Sequence, residues 1–311
     1  EMSASLVGSE MCIRDSAIEG MPRHASTHAA GVVITEQPVY AYVPLASNDG
    51  ALVCQYQMTT LEELGLLKMD FLGLRNLTVL EDAARRVRRR VPDFQVERIP
   101  LDDKKTFDML AAGRTVGVFQ LESAGITSVC MGLRPRSIED ITAVIALYRP
   151  GPMESIPRFL ACSAHPERIT YQHPLLEPIL SVTYGCIVYQ EQVIEIFRQL
   201  AGFSLGQADM IRRAMSKKKE AVITAERAAF VHGDPARSIP GAVARGVPEQ
   251  TANDIYDEIL AFASYAFNKA HAVSYAIVSY RTAYMKRNYP HEYMAALLTS
   301  VLDNTPKVTE Y

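Results

Sequence analysis

No stretch of this 311-residue chain approaches the roughly 20 consecutive apolar residues that span a bilayer, and no secretory signal stands ahead of its first motif. The expected compartment is the cytoplasm, with no membrane partner. Cysteine is scarce. The five residues, at 12, 54, 130, 162 and 186, include no pair at C-x-x-C spacing, which excludes a zinc ribbon and a disulfide framework and predicts reduced, packed thiols. Positive charge is not in excess: a formal net charge of −3 argues mildly against nucleic-acid binding on composition alone. Internal repeats and low-complexity tracts are also missing.

What is present is a globular composition, 48% hydrophobic and 22% charged, in a length that suits one or two domains. Residues 17 to about 75 read as strand-rich. Apolar runs at Gly31–Thr35, Ala51–Tyr56 and Leu66–Phe71 are separated by Pro38, Pro44 and the Asn48-Asp49-Gly50 turn signal. From Asn76 onward the periodicity is helical, and the domain boundary is drawn at that switch. Ser137 with Asp140 opens one helix, and Ser204 with Gln207 forms a capping box for another. A long helix runs from about Asn268 to Lys286-Arg287, and Pro290 starts the next. Glycines and prolines between Val231 and Gln250 predict a flexible connection.

Positive charge is clustered even though it is not in excess. Arg85, Arg86, Arg88, Arg89 and Arg90 form one block, and Arg212, Arg213, Lys217, Lys218 and Lys219 another. Leu77, Leu80, Ala84, Val87 and Val91 recur at helical spacing, so the first block reads as a solvated helix face, with DNA backbone contact as the alternative.

Three constellations could carry chemistry. Side chains alternate across a strand, so Lys68 and Asp70 share one face while Leu67, Met69 and Phe71 take the other. This reads as a carboxylate for a metal ion delivered on a buried strand; the plainer alternative is a surface ion pair. Tyr265, Asn268, Lys269 and His271 surround a helix entrance, where free N–H groups attract phosphate, lysine adds charge and tyrosine offers a packing surface. There the alternative is a helix cap beside a core tyrosine. His24 and His28 are four apart, but Pro22 and Gly31 argue for a loop without a third metal ligand. Tyr189, Glu191 and Gln192 read as a helix start.

The Lys68–Asp70 segment resembles the third catalytic-aspartate motif of the C-family of bacterial replicative DNA polymerases, the alpha subunits of DNA polymerase III. Further segments agree in the family's order: Pro22-Arg23-His24, Gly117-Val118-Phe119-Gln120-Leu121-Glu122-Ser123, Tyr148-Arg149-Pro150-Gly151-Pro152, Tyr189-Gln190-Glu191-Gln192, Ala208-Asp209-Met210-Ile211-Arg212-Arg213 and Phe267-Asn268-Lys269-Ala270-His271. The resemblance implies an α+β chain, with the C-terminal part of a polymerase palm at 17–75 and a mostly helical fingers domain at 76–311. Residues 1–16 match nothing in the family and read as an adaptor-derived segment.

The implied activity is template-directed DNA synthesis by nucleotidyl transfer. Asp70 would be the catalytic carboxylate that holds Mg²⁺, and Lys68, Arg212, Arg213, Tyr265, Asn268, Lys269 and His271 would bind the nucleotide. Arg212 and Arg213 lie about 100° apart on a helix, so one is expected to reach the phosphates while the other touches template or packs. The implied partners are primer-template DNA and dNTP and, in a complete enzyme, the sliding clamp and other replisome subunits. The family's other two carboxylates form an Asp-x-Asp pair that this chain lacks, so the chain alone is expected to be inactive. A nucleotide or single-stranded-DNA binding module without catalysis, an unrelated helical scaffold, and the family's error-prone repair relative are the competing readings.

Overall fold

A computed structural model of the chain describes residues 27–28, 30–48, 50–71, 73–149, 151–216, 220–263 and 267–311. The backbone forms two compact units that divide between Leu74 and Arg75.

In the first unit, strand β1 (Gly31–Ile34) pairs antiparallel with β4 (Leu67–Asp70), placing Gly31 opposite Asp70 and Ile34 opposite Leu67. Strands β2 (Leu45–Asn48) and β3 (Ala51–Cys54) form a hairpin around Gly50, whose φ of 81° suits the tight turn. Helix α1 (Met58–Glu63) leads into β4. β4 is not the buried strand its apolar run suggests. Leu67, Met69 and Phe71 are 59%, 47% and 63% exposed, because among the described residues the strand has β1 as its one partner in a two-stranded ribbon.

The second unit is helical. Its first half holds α2 (Arg75–Val87), α3 (Lys104–Ala111), α4 (Ala124–Leu133), α5 (Ile138–Leu147), α6 (Ile156–Ala164) and α7 (Glu177–Leu180). Helices α8 (Gln190–Ala201), α9 (Leu205–Ser216), α10 (Glu220–His232), α11 (Glu249–Ala263), α12 (Lys269–Asn288), α13 (Pro290–Thr299) and α14 (Thr305–Glu310) follow. The α+β class read from the sequence is the class observed.

Two apolar cores organise this unit. The first gathers α2 to α5 with α12 and α13; α5 is buried from Asp140 through Leu147, and Ala272, Ala276 and Ala283 let α12 approach closely. The second packs α8 to α11 around Phe197, whose ring meets Phe203, Phe230 and Tyr256 at 5.0–5.9 Å between centroids. Helix α12 is tied down along its length. Thr282 Oγ1 accepts the Phe119 N–H at 3.1 Å, Tyr280 Oη accepts the Asp103 N–H at 2.8 Å, and Asn288 Nδ2 donates to Asp103 at 3.2 Å.

The caps read from the sequence are present. Ser137 Oγ accepts the Asp140 N–H, Ser204 and Gln207 exchange bonds of 2.8 and 3.3 Å, and Pro290 opens α13. Two readings need correction. On α2 the buried residues are Val79, Leu80, Ala83, Ala84 and Val87, whereas Leu77 and Val91 are exposed. Three of the five arginines in the block pair with acids of the chain, Arg85 with Asp82, Arg88 with Glu81 and Arg90 with Glu292, as a solvated face does. The connection from Val231 to Gln250 is packed, not loose. Asp234 and Ile239 exchange backbone bonds, Ile239, Ala242 and Val247 are buried, and Arg237 bridges Glu226 and Asp234. Its glycines allow backbone contact: a Cβ on Gly241 would lie 2.3 Å from the Gly233 nitrogen.

Candidate nucleotide and carboxylate sites

In the first unit the strand period brings Lys68 and Asp70 together as expected. Lys68 Nζ lies 2.9 Å from one Asp70 oxygen and 3.2 Å from the other, and its hydrogen bond holds the carboxyl below the usual range, so Asp70 is ionised at neutral pH. His28 completes the cluster. Its Nδ1 accepts the Gly31 N–H at 2.6 Å and the Ala30 N–H at 3.1 Å, which makes that nitrogen the unprotonated one. The same nitrogen lies 4.0 Å from Asp70 Oδ1.

Gly31 is the residue that sequence reasoning missed. It faces Asp70 across the ribbon, and a Cβ there would stand 2.7 Å from Lys68 Cε, 2.9 Å from His28 Nδ1 and 3.1 Å from Asp70 Oδ1. A glycine heading a β-branched strand run was the available signal. His24 lies outside the described residues. Among those residues no group of three or more His, Cys, Asp or Glu side chains could hold a metal ion. Asp70 offers one carboxylate, already shared with Lys68, which is fewer acidic ligands than a two-ion Mg²⁺ site uses.

In the second unit the start of α12 is a junction. Asn268 is the N-cap, its side chain accepting the His271 N–H at 2.9 Å. Phe267 pairs with Tyr189 in a parallel bridge, which brings the start of α8 alongside. Glu191, read from sequence as part of a helix start, does more: both its carboxylate oxygens lie 3.0 Å from the Lys269 N–H. An internal anion thus occupies the helix end at which phosphate was expected. Lys269 Nζ points instead to Glu139, 3.1 Å away.

Arg212 joins this junction through Gln190, donating to its Oε1 at 2.9 Å. Both arginines of α9 also hold Asp209, at 2.8 Å from Arg212 Nε and 2.7 Å from Arg213 Nε, and they lower its pKa, Arg212 first. Their exposure separates them. The Arg212 side chain is 25% exposed and that of Arg213 70%, as the 100° offset predicts. Arg212, Asn268, Lys269 and His271 are therefore linked, Arg213 projects outward, and Tyr265 lies outside the described residues.

Two family models match successive parts of the chain. Residues 76–237 match the bacterial DNA polymerase III alpha subunit finger domain, and residues 9–73 the bacterial DNA polymerase III alpha NTPase domain. The chain belongs to the bacterial DNA polymerase III alpha family. It is 48% identical over 291 residues to the DNA polymerase III subunit alpha of Staphylococcus epidermidis, an alignment that takes in 93% of this chain and 27% of that protein. The subunits of Halalkalibacterium halodurans and Thermus aquaticus are each 50% identical, over 94% of this chain and 26% and 24% of their own lengths. The chain thus spans about a quarter of the length of these curated relatives. Within the DNA polymerase III alpha framework, Lys68 and Asp70 fall in the NTPase-domain match and Arg212 and Arg213 in the finger-domain match.

Proposed function

We propose that this chain supplies one carboxylate strand and the nucleotide-binding fingers of a template-directed DNA polymerase, which joins a dNTP to a primer 3′-hydroxyl in the cytoplasm. The observation that carries this reading is the pairing of Lys68 with an ionised Asp70 inside the family match. Asp70 offers fixed negative charge to a catalytic cation, and Lys68 sets its orientation. Arg213 offers an exposed guanidinium to the triphosphate, where charge collects in the transition state. Arg212, through Gln190, fixes α9 against the junction at the start of α12.

Mg²⁺, when bound, would supply the Lewis acidity that activates the primer hydroxyl. Because the described residues bring it one carboxylate, the chain alone should not extend a primer. The remaining partners, primer-template DNA, the sliding clamp and other replisome subunits, belong to the same proposal. A binding module without catalysis is the second reading, and the single carboxylate favours it for the chain in isolation. The error-prone relative stays within the same chemistry.

The test is a hybrid polymerase in which this segment replaces its counterpart in the Thermus aquaticus subunit. Primer extension with Mg²⁺ should be restored, and Asp70→Asn should lower kcat about 100-fold or more at unchanged DNA affinity. A hybrid whose Asp70→Asn form extends primers at the unsubstituted rate would make Asp70 a surface ion-pair residue.

A further inference from the structure

Asp70 is the last residue of β4 and faces the first residue of β1, so the carboxylate stands at the end of the ribbon, where strands fray. One residue beyond it, the Phe71 N–H donates to the Ala30 carbonyl at 2.8 Å. That bond makes Gly31 and Asp70 a non-hydrogen-bonded pair, in which the two Cα atoms come closest, at about 4.5 Å, and each residue's own N–H and C=O turn away from the partner strand. Asp70 therefore packs against the backbone of residue 31, and the Gly31 N–H finds no acceptor on β4.

His28 supplies the acceptor. Its Nδ1 takes the Gly31 N–H at 2.6 Å and the Ala30 N–H at 3.1 Å. Ala30 is thus held on both sides, its N–H by the imidazole and its carbonyl by the residue after Asp70. The segment carrying the ring is tied down in turn, since Thr27 Oγ1 accepts a bond of 3.1 Å from Asn48 at the end of β2. Val43 and Leu61 are the buried hydrophobic residues among those described in this unit, so polar bonds more than a core fix the ribbon's end. At 4.0 Å from Asp70 Oδ1 the ring is too far for a hydrogen bond to the carboxylate. Its grip is on the backbone.

We propose that His28 is a positioning residue for Asp70: through Nδ1, in the Nε2–H tautomer, it fixes the Ala30–Gly31 backbone against which the carboxylate lies. Lys68 holds the carboxylate group itself, and His28 holds the strand end that carries it into place. The consequence for catalysis rests on the polymerase reading, while the tautomer and its two bonds need only this chain. With Nδ1 engaged, a direct role toward substrate would have to use Nε2, which gives that alternative its own signature.

One measurement uses the 311-residue chain in EDTA at about pH 8, nitrogen-15-labelled, and reads long-range proton–nitrogen correlations of the imidazoles. The peaks that His28→Ala removes identify the ring. An Nε2–H pattern is expected, and an Nδ1–H pattern overturns the proposal. In the same samples, hydrogen exchange of the Gly31 amide should quicken about tenfold or more in His28→Ala and His28→Gln but not in His28→Asn. An Asn amide places its oxygen near the position of Nδ1, whereas a Gln amide reaches toward that of Nε2.

The other measurement uses the hybrid polymerase. His28→Ala should lower kcat about tenfold or more at unchanged dNTP KM and DNA affinity, since an ångström of misplacement costs up to about 100-fold. His28→Asn should recover most of that loss, and His28→Gln should stay at the alanine level. Rescue by Gln but not Asn would make Nε2 the working atom. Equal loss in all three, or loss in none, would make the Nδ1 acceptor immaterial, and each of these results overturns the proposal. A hybrid that fails to extend primers, or is indifferent to Asp70→Asn, counts against the polymerase reading instead, and the tautomer and the Gly31 exchange then decide whether His28 holds this backbone.

Discussion

The two units hold their polar residues by opposite means. In the first, Val43 and Leu61 are the buried hydrophobic residues among those described, while Val32, Ile34, Leu52, Leu67 and Met69 are at least 43% exposed. Position there comes from strand register and one missing side chain, at Gly31. In the second, the start of α12 is packed into the first apolar core and held by Glu191, 78 positions away in sequence. A site can thus be set by local geometry on an element with little core, or by long-range packing. The two should respond differently to substitution.

The largest contrast is in stability. Phe197→Ala removes a fully buried ring with three aromatic neighbours and should cost roughly 3–5 kcal/mol in urea unfolding, whereas Leu52→Ala, 77% exposed, should stay within about 0.5 kcal/mol. Equal losses would mean that the first unit has a core the exposures do not reveal. Next in size are the arginines of α9, assayed in the hybrid polymerase. Arg213→Ala should raise the dNTP KM by a charge-assisted bond, roughly 1.5–3 kcal/mol, and leave melting alone. Arg212→Ala should also lower the melting temperature, since it releases Gln190. If both variants melt like the parent, the junction is not load-carrying.

Gly31→Ala should be milder. Lys68 Cε can swing away, but His28 Nδ1 is fixed by two backbone donors, so the Lys68–Asp70 pair should shift and primer extension should fall severalfold while the second unit melts unchanged. An unaltered rate would show that register alone sets Asp70.

The smallest effect concerns pH. Burial raises the pKa of Glu258 above its usual value, against the pull of Arg158. A raised folded pKa gives stability that is fully present below the unfolded pKa and is lost as pH rises through the folded one. Glu258→Gln keeps an acceptor for Gln172 and should flatten the loss of stability above about pH 4.5. A pH–stability curve identical to the parent's would assign that loss to another group.

Much of this contrast could be read from residue order, and the unread parts have physical causes. The helical caps at Ser137, Ser204 and Asn268 were legible because their signals are local. β2 was not, since Leu45-Ala46-Ser47-Asn48 carries no β-branched residue and is recognised only by its pairing with β3. The exposure of β4 was hidden because an apolar run reports what a strand could bury, not what lies against it. Lys68 and Asp70 were legible from a period of two. Glu191 was not, because its partner is Lys269, and neither were Arg149 and Phe267, whose contact closes a loop of more than a hundred residues. The glycines from Val231 to Gln250 spoke for looseness, while in space they permit backbone contact.

Helix α12 has twenty residues and so runs about 30 Å, from Asn268 to the far end, where Asn288 is tied to Asp103. Its middle is clamped by Tyr280 and Thr282, and interior helical hydrogen bonds leave it no hinge. It is therefore expected to respond to a displacement as one rigid rod. A tilt of a few degrees at the Asn268 end would displace the other end by an ångström or more, and Asp103 and Phe119 would travel with it. Closure over a substrate would be a rigid swing of this whole helical body, not a bending of its tip.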